Sequence, residues 1–315
     1  MRLATILPDR AREPIAVVAA PDGSWVELAA VAARPVRRLE DALPWWLTAG
    51  AQVSKTVAGW QGRRFHEGDF SFLPPVVRPP AFRDFYAFEQ HVKTARAKRG
   101  LEMVPAWYEI PVFYFSNPNA LVGHDGAIFA PAGCTELDYE LELGIIIGRG
   151  GTNIMPEQAW NHVAGFTVLN DFSARDLQRK EVPIGLGPAK AKDFATAGGP
   201  WLVTRDEFSD RIVGERLTLE MTARVNGVER SRGNVASLHH TIPRLIAQAS
   251  RDAELLPGDL LGTGTVGTGC ILELGAENVG GWLKPGDIVD LEIEWIGVLR
   301  TRIVARTDGV NSAVQ

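Results

Sequence analysis

Residues 134–150 read CTELDYELELGIIIGRG, and three carboxylates in this stretch alternate with apolar side chains. Asp138, Glu140 and Glu142 are spaced two residues apart, which is the period of a β-strand, so the three side chains share one face. Like charges on one face repel one another, and burying them without a partner is costly. The pattern therefore allows two interpretations, a solvated outer face of a strand or a bound cation.

The composition is that of an ordinary globular protein with one large domain or two unequal ones. The chain has 315 residues, of which 45% are hydrophobic and 23% charged, and its formal net charge is −5. The densest basic stretch, KTARAKR at residues 93–99, is interpreted as a solvated helix end. Because no concentrated basic patch accompanies it, we expect no nucleic-acid partner.

The cysteine content and the N-terminus bear on the expected location. The chain has two cysteines, Cys134 and Cys270, and no CxxC motif, so the sequence does not indicate a disulfide framework. Pro8 and the charged residues after it interrupt the first apolar stretch, so no signal peptide is predicted. No apolar run approaches the roughly 20 residues of a membrane span. These patterns predict a soluble cytoplasmic protein with no membrane partner.

A proline-rich segment divides the chain into two predicted domains. The stretch FLPPVVRPPAF at residues 72–82 is stiff and extended. We therefore expect a small N-terminal domain over residues 1–75 and a larger domain over residues 76–315. The first is expected to begin with a hairpin in residues 1–20 and to hold a short helix over residues 41–51.

Strand-like runs dominate the larger domain, and Asn226-Gly227 is a strong hairpin-turn signal between two of them. Helical patterns are fewer and cover residues 84–98, 156–161 and about 240–251. Many strands without regular βαβ alternation predict a mixed α+β fold that is mostly β.

The glycines of LGTGTVGTG, residues 261–269, match the pattern GxGxxG. A dinucleotide-binding site needs this pattern to follow a strand and to open a helix. Here the run CILEL at residues 270–274 follows, and it is interpreted as a strand. The glycines are therefore expected to make a tight loop where the backbone approaches a ligand.

Two further segments place polar residues in apolar surroundings. Asp84 and His91 are seven residues apart, so on one helix they would lie two turns, roughly 10 Å, apart on the same face. A helix N-cap and a surface histidine are the alternatives for this pair. Asn170 and Asp171 end an apolar strand, and Arg175 follows on a helical turn. A structural ion pair with the neighbouring aspartate is the alternative for Arg175.

Three other polar positions extend this set. Gln178 lies three residues after Arg175, so the two share a helix face. Lys192 and Thr196 precede a glycine turn, and Glu273 follows the glycine loop. Four carboxylates of the chain would together make an all-oxygen site, namely Asp84, Glu140, Glu142 and Asp171. Such a site suits the hard cations Mg²⁺, Ca²⁺ and Mn²⁺, and no Cys/His set with zinc spacing is present.

Taken together, these segments resemble the fumarylacetoacetate hydrolase (FAH) family, and the N-terminal motif resembles fumarylacetoacetase. The matching motifs, which span most of residues 82–304, are RDFYAFEQH at 83–91, DYELELG at 138–144, TVLNDFSARDLQ at 167–178, KDFATAGGPWLVT at 192–204 and GTGTVGTG at 262–269. The resemblance implies an FAH-type β-roll catalytic domain behind a small N-terminal domain, a homodimer, and a small diketo acid as substrate.

The resemblance also implies roles for individual residues. Four carboxylates would bind Mg²⁺, or Ca²⁺ or Mn²⁺ in its place: Asp84, Glu140, Glu142 and Asp171. Asp138 is not among these implied ligands. His91 would be the catalytic base, and Glu273 would orient it. The groups that stabilise the oxyanion would be Arg175, Gln178 and Lys192. The substrate contacts would be Tyr86, Tyr114 and Thr265.

Two departures from fumarylacetoacetases lie where substrate selectivity is set. Val182 stands where those enzymes carry a tyrosine, and the interval from Arg175 to Lys192 is one residue longer. The expected activity is metal-dependent hydrolysis of a C–C bond in a β-diketo acid, of the fumarylacetoacetate or acylpyruvate type, in aromatic compound catabolism. The alternatives are a 2-keto acid isomerase, hydratase or decarboxylase of the same superfamily, and a non-catalytic binding protein.

Overall fold

The computed structural model describes residues 1–32 and 34–306. Its strands are β1 (Arg2–Pro8), β2 (Ile15–Ala19), β3 (Trp25–Glu27), β4 (Phe70–Phe72), β5 (Phe82–Phe85), β6 (Phe113–Phe115), β7 (Leu121–Val122), β8 (Gly126–Phe129), β9 (Leu137–Asp138), β10 (Leu141–Ile147), β11 (Val163–Asp171), β12 (Ser173–Ala174), β13 (Thr196–Thr204), β14 (Ile212–Val213), β15 (Arg216–Leu217), β16 (Glu220–Val225), β17 (Val228–Asn234), β18 (Leu260–Gly262), β19 (Ile288–Ile293) and β20 (Gly297–Val304). Its α-helices are α1 (Leu28–Val31), α2 (Leu39–Ala58), α3 (Glu89–Ala97), α4 (Pro105–Glu109), α5 (Arg175–Glu181), α6 (Ile242–Ala249) and α7 (Ile271–Leu274).

Two sheets enclose the main core. The larger has the strand order β3-β2-β1-β13-β11-β10-β18-β5-β6, with β4 also paired to β1 and β7 to β13. The smaller has the order β17-β16-β19-β20-β8. Side chains from both sheets, such as Ile145 of β10 and Leu291 of β19, belong to one buried apolar cluster. The predicted mixed α+β fold, mostly β, is confirmed.

The central strand β10 is buried on both faces, and this determines where its carboxylates lie. Leu143 and Ile145 face the core between the two sheets. On the opposite face, Ile146 packs in the cluster that contains buried residues of α2. Glu142 shares that opposite face because it is four residues before Ile146 in the same strand. The carboxylates of the stretch are therefore buried, and the alternative of a solvated outer face is wrong.

The first 75 residues join the larger sheet. Strands β1 and β2 form the expected antiparallel hairpin, and β1 also pairs with β13. Helix α2 is longer than the predicted residues 41–51 and covers one face of the sheet. The division between residues 1–75 and 76–315 stays a prediction, and within it residues 33 and 307–315 lie outside the described residues.

Two predicted elements are wrong. Asp84 does not share a helix with His91, because Asp84 lies in β5 and only the residues from Glu89 onward are helical. The FRDF stretch is buried in ladders with β18 and β6, which override the helical pattern that follows it. The run CILEL is not a strand, since α7 covers Ile271–Leu274. A helix of four residues is too short for its sequence pattern to distinguish the period of a strand from that of a helix.

The turn signals of the sequence behave as expected. Asn226 and Gly227 join β16 to β17 with φ values of +52° and +77°, the left-handed conformations of a type I′ hairpin. Gly262 ends β18, whereas Gly264, Gly267 and Gly269 lie in the loop between β18 and α7, and the helix begins only after them. In the described part of the chain, no helix has both the length and the apolar character needed to cross a bilayer.

Candidate active site

Three buried carboxylates meet where β5, β10 and β11 lie close together. Asp84, Glu142 and Asp171 each offer an oxygen, and these atoms lie within 4.8 Å of one another. Strand β18 lies between β10 and β5, and its residue Gly262 pairs with Gly144 on one side and Asp84 on the other. A Cβ atom at Gly262 would stand 2.3 Å from Asp84 Oδ1. The absence of a side chain there leaves the space that the three carboxylates use.

The fourth predicted ligand, Glu140, is held beside this cluster by two cations. Lys192 Nζ donates to Glu140 Oε2 and, at 2.5 Å, to Asp171 Oδ2. Arg175 Nη2 donates to Glu140 Oε1 at 2.7 Å. Burial alone would raise the pKa of Glu140, but the charges of Lys192 and Arg175 outweigh it and hold this pKa below its ordinary value. Glu140 is therefore an ionised carboxylate whose two oxygens are both paired.

Within the part of the chain that the structure describes, Asp84 and Glu142 form no such ion pair, and this bears on whether a cation fits. Burial and the charge of Asp171 raise the pKa of Asp84 well above its ordinary value, and burial and Asp84 do the same for Glu142. Asp84 Oδ1 is buried and has no hydrogen-bond partner among the described residues. Converging hard oxygen donors with an unpartnered buried oxygen fit a divalent cation of the Mg²⁺, Mn²⁺ or Ca²⁺ type.

Two hydroxyl groups orient Asp171. The Tyr114 hydroxyl donates to Asp171 Oδ2 at 2.6 Å and lies 3.4 Å from Asp84 Oδ2. Thr196 Oγ1 donates to Asp171 Oδ1 at 3.3 Å. Burial, followed by the charge of Asp171, raises the pKa of Tyr114 well above its ordinary value, so this phenol remains a donor. Tyr114, expected to contact substrate, here bridges two of the carboxylates.

A histidine–glutamate pair joins helices α3 and α7. His91 Nδ1 lies 2.6 Å from Glu273 Oε1, and both side chains are buried. Glu273 Oε2 accepts a hydrogen bond from the Thr268 backbone nitrogen at 3.1 Å, which fixes the carboxylate. The ring of Tyr86 meets the imidazole edge to face at 5.4 Å, and burial raises the pKa of Tyr86 to about 12. The pair that the sequence predicted is thus in direct contact.

Arg175 and Asp138 link this pair to the carboxylates. Arg175 Nε donates to Asp138 Oδ2 at 2.8 Å, and its Nη1 donates to Gln178 Oε1 at 2.9 Å. Asp138 also accepts hydrogen bonds from the backbone nitrogens of Ile271 and Leu272, at 2.7 and 3.0 Å. These two nitrogens open α7, the helix that carries Glu273. The sequence analysis did not predict that Asp138 joins Arg175 to α7. The available signal was the alternation of Asp138 with Glu140.

The glycine loop reaches the site through its backbone. The Gly264 nitrogen donates to Glu142 Oε2 at 3.0 Å, so the backbone of the loop lies against the carboxylates. The predicted approach of this backbone to a ligand stays a prediction. Thr265, an expected substrate contact, is buried in this loop. Val182 begins a 3₁₀ turn directly after α5. Ile184 ends this turn and Leu186 follows it, and the two residues are 80% and 90% exposed. Both lie in the part of the sequence between Gln178 and Lys192.

Comparison with known proteins agrees with this fold. Residues 81–304 match the family described as fumarylacetoacetate (FAA) hydrolase C-terminal. The match covers more than half of the chain, and the chain therefore belongs to the fumarylacetoacetate hydrolase family.

Individual relatives carry different activities in their names. The chain is 35% identical over 199 residues to oxaloacetate tautomerase YisK of Bacillus subtilis (strain 168), and the match spans 62% of each chain, so about three fifths of that relative is covered. Fumarylacetoacetate hydrolase from Exiguobacterium antarcticum superposes with a TM-score of 0.76 at 26% identity, over 97% of this chain and all of that one. Maleylpyruvate hydrolase from Sphingobium sp. SYK-6, solved with manganese(II) and pyruvate, shares the fold with a TM-score of 0.71 at 23% identity, over 98% of this chain and all of that one.

Proposed function

We propose that this chain is a divalent-cation-dependent hydrolase that cleaves a C–C bond in a small β-diketo acid of the fumarylacetoacetate or acylpyruvate type. The observation that carries the proposal is the buried contact of 2.6 Å between His91 Nδ1 and Glu273 Oε1. Hydrolysis requires a base that activates water, and this pair supplies one; a keto–enol conversion would use the same base on a carbon-bound proton. The family supports enzymatic activity, and the solved hydrolase structures share the fold.

The pairing with Glu273 determines which imidazole nitrogen acts. Because a carboxylate accepts at Nδ1, the neutral imidazole carries its proton there and has a free lone pair at Nε2. Nε2 of His91 is then the atom that removes a proton from water. Glu273 holds the ring orientation and stabilises the imidazolium that results. The contact of Tyr86 with the ring restricts its rotation.

Four carboxylates would hold the cation in this proposal: Asp84, Glu140, Glu142 and Asp171. When bound, a Mg²⁺-type cation polarises a substrate carbonyl and stabilises the charge of an enolate. The Lys192 ammonium, now between Glu140 and Asp171, donates to the oxygen that becomes negative during attack. The Oε1 atom of Gln178 accepts from Arg175, which leaves its amide nitrogen to donate to substrate.

The bond changes balance without any further reactant. His91 Nε2 takes a proton from water, and the hydroxide adds to one carbonyl carbon of the diketone. The C–C bond between that carbon and the central methylene breaks, and its electron pair remains on the methylene carbon as an enolate. The proton held by His91 returns to that carbon. The products are a carboxylic acid and a ketone or keto acid.

A second candidate function is keto–enol tautomerisation or isomerisation of a 2-keto acid. It is favoured by the 35% identity to the oxaloacetate tautomerase. In this reaction His91 would move a proton between carbon and oxygen, and no C–C bond would break.

We also propose that the chain acts as a homodimer. Several apolar side chains of one segment are at least 45% exposed, and together they offer a contact surface: Leu101, Val104, Ile110, Val112 and Phe115. Light scattering coupled to size-exclusion chromatography tests this, and a mass equal to a single chain of 34.3 kDa would contradict it.

The test of the activity is an analysis of products by NMR. The protein is incubated with fumarylacetoacetate, fumarylpyruvate and short acylpyruvates, and separately with oxaloacetate, each with Mg²⁺ or Mn²⁺ and with excess chelator. Cation-dependent appearance of a carboxylate together with a ketone or pyruvate supports C–C hydrolysis. Intact carbon skeletons with exchange of the carbon-bound protons would instead support the tautomerase or isomerase candidate.

A further inference from the structure

The catalytic pair has a third neighbour that the proposed reaction does not use. Cys270 precedes α7 and is fully buried. Its Sγ lies 4.0 Å from His91 Nδ1 and 3.7 Å from Glu273 Oε1. Cys270 and Glu273 are three residues apart, so both point from one end of the short helix toward His91 on α3. One nitrogen, one sulfur and one oxygen thus converge on a common point.

We propose that His91, Cys270 and Glu273 form a second cation site, for a thiophilic divalent cation of the zinc class, and that its occupation stops turnover. The site differs in chemistry from the carboxylate cluster of Asp84, Glu142 and Asp171. Thiolate and imidazole select zinc-like ions, whereas carboxylates select Mg²⁺ and Ca²⁺. The protein would therefore sort hard and soft cations between neighbouring positions.

The geometry is close to that of a tetrahedral zinc site. Bonds of about 2.0–2.3 Å at tetrahedral angles separate the ligand atoms by roughly 3.3–3.6 Å. The two sulfur separations of 4.0 and 3.7 Å need only small contraction. The 2.6 Å contact between His91 and Glu273 must open by about 0.7 Å, as expected when a cation replaces the shared proton. Three protein ligands and an open fourth position are the usual set for zinc bound near substrate.

The charges and protons also balance. A thiolate and a carboxylate together neutralise a divalent cation. Burial raises the pKa of Cys270 well above its ordinary value, so the thiol stays protonated until a cation displaces its proton to solvent. Coordination through Nδ1 of His91 moves the remaining imidazole proton to Nε2. Nε2 is the atom that would accept the proton of water, so the base is lost. The inhibition rests on the proposed function, whereas the binding does not.

The experiment uses Co²⁺ as a spectroscopic probe, because a cobalt–thiolate bond gives an intense near-ultraviolet absorption. The chain has two cysteines, so the variant Cys134→Ser retains Cys270 alone. With Mg²⁺ in excess, we expect Co²⁺ to give this absorption in Cys134→Ser. The absorption should saturate at about one equivalent of Co²⁺ per chain, because each chain has one site of three ligands. Zn²⁺ should abolish the absorption by displacement. The variant Cys270→Ser should show none.

Turnover provides a second readout. We expect Zn²⁺ to lower kcat of Cys134→Ser by about 10²-fold or more, since the general base is removed. The absence of the thiolate absorption in Cys134→Ser would overturn the proposal, whether or not Cys270→Ser folds. So would its persistence in Cys270→Ser. If the absorption appears but kcat is unchanged, the inhibition is overturned while the binding stands, and the proposed role of His91 must be rejected with it.

Discussion

The guanidinium of Arg175 and the carboxylate of Asp138 form a buried ion pair, with Nε 2.8 Å from Oδ2. Arg175 also holds Glu140, and Asp138 also accepts from the first two backbone nitrogens of α7. The pair therefore connects the carboxylate side of the site with the helix that carries Glu273. A movement of Glu140 would therefore act on α7, and a movement of α7 on Glu140, through the hydrogen bonds of Arg175 and Asp138.

Replacing Asp138 should damage both ends of this link. We expect Asp138→Asn to lower the free energy of unfolding by about 3 kcal/mol, because it leaves a buried guanidinium without part of its compensation. It should also lower kcat more than it lowers cation affinity, because a shift of α7 moves Glu273 relative to His91. Urea unfolding and steady-state kinetics measure the two effects. Asp176→Asn, in the first turn of α5 but more exposed, is the control, and an equal loss there would contradict the prediction.

Two neighbouring glutamates should respond to neutralisation with opposite signs. In chelator, Glu142→Gln should raise the free energy of unfolding by about 1 kcal/mol, because it removes a carboxyl whose ionised form is disfavoured by burial and by Asp84. The Gln side chain keeps an oxygen to accept from Gly264. Glu140→Gln should lower the free energy of unfolding by about 3 kcal/mol, because Lys192 and Arg175 each lose one of their two carboxylate partners. Urea unfolding of both variants is the measurement, and shifts of the same sign would contradict this account.

The space left by Gly262 should be necessary for binding a cation. Gly262→Ala puts a Cβ 2.3 Å from Asp84 Oδ1, so one carboxylate must move. We expect cation affinity to fall about 10- to 100-fold by calorimetric titration with Mn²⁺. Gly198→Ala is the matched control in the same sheet, since its Cβ would meet only the Leu169 side chain at 3.3 Å. Unchanged affinity in Gly262→Ala would place the cation elsewhere.

His91 should matter for turnover and not for binding the cation. We expect His91→Ala to lower kcat by about 10²- to 10⁴-fold, the usual contribution of a general base. Mn²⁺ affinity, measured on the same preparation, should stay within the range of the unmodified protein, because His91 is not among the carboxylate ligands. The exposed His66 supplies the control variant His66→Ala. Normal turnover in His91→Ala would exclude it as the base.

The exposed apolar residues beside α5 should act on substrate and not on stability. Ile184 and Leu186 bury little surface, so changing both to Ser should alter the free energy of unfolding by less than about 0.5 kcal/mol. If they contact an apolar part of the substrate, KM should rise severalfold. Kinetics on the best substrate from the product analysis measures this. Val213→Ser, at a comparably exposed position, should leave KM unchanged.

The sequence predicted the parts of the site that lie in long, regular strands. The alternation that includes Glu142 and the apolar strand ending at Asp171 are local patterns, and the structure has both strands. The first predicted strand is interrupted before Glu142, because Glu140 precedes β10 and Asp138 belongs to the separate strand β9. Asp84 was misplaced on a helix because the helical pattern that starts at Glu89 was extended backward into β5. Strand pairing with β18 and β6 decides the conformation there, and no local pattern reports it.

Other features depended on contacts between distant segments. The approach of Cys270 to His91 joins segments far apart in sequence, so spacing rules for metal ligands could not detect it. Helix α7 is a single turn whose start is fixed by Asp138, a residue of a different segment. The ion pairs of Glu140 with Lys192 and Arg175 likewise join residues far apart in sequence, so only the folded structure reveals them.

The position of β18 between β5 and β10 has a consequence for the order in which the protein matures. Asp84 reaches Glu142 only after residues 260–262 have entered the sheet between their strands. Glu142 and Asp171 meet earlier, because β10 pairs directly with β11, whereas Asp84 on β5 waits for this late strand. Such late, distant pairing is slow compared with local folding. The complete set of three carboxylates therefore forms only when β18 is in place, and the binding energy of a cation held by all three stabilises that finished state.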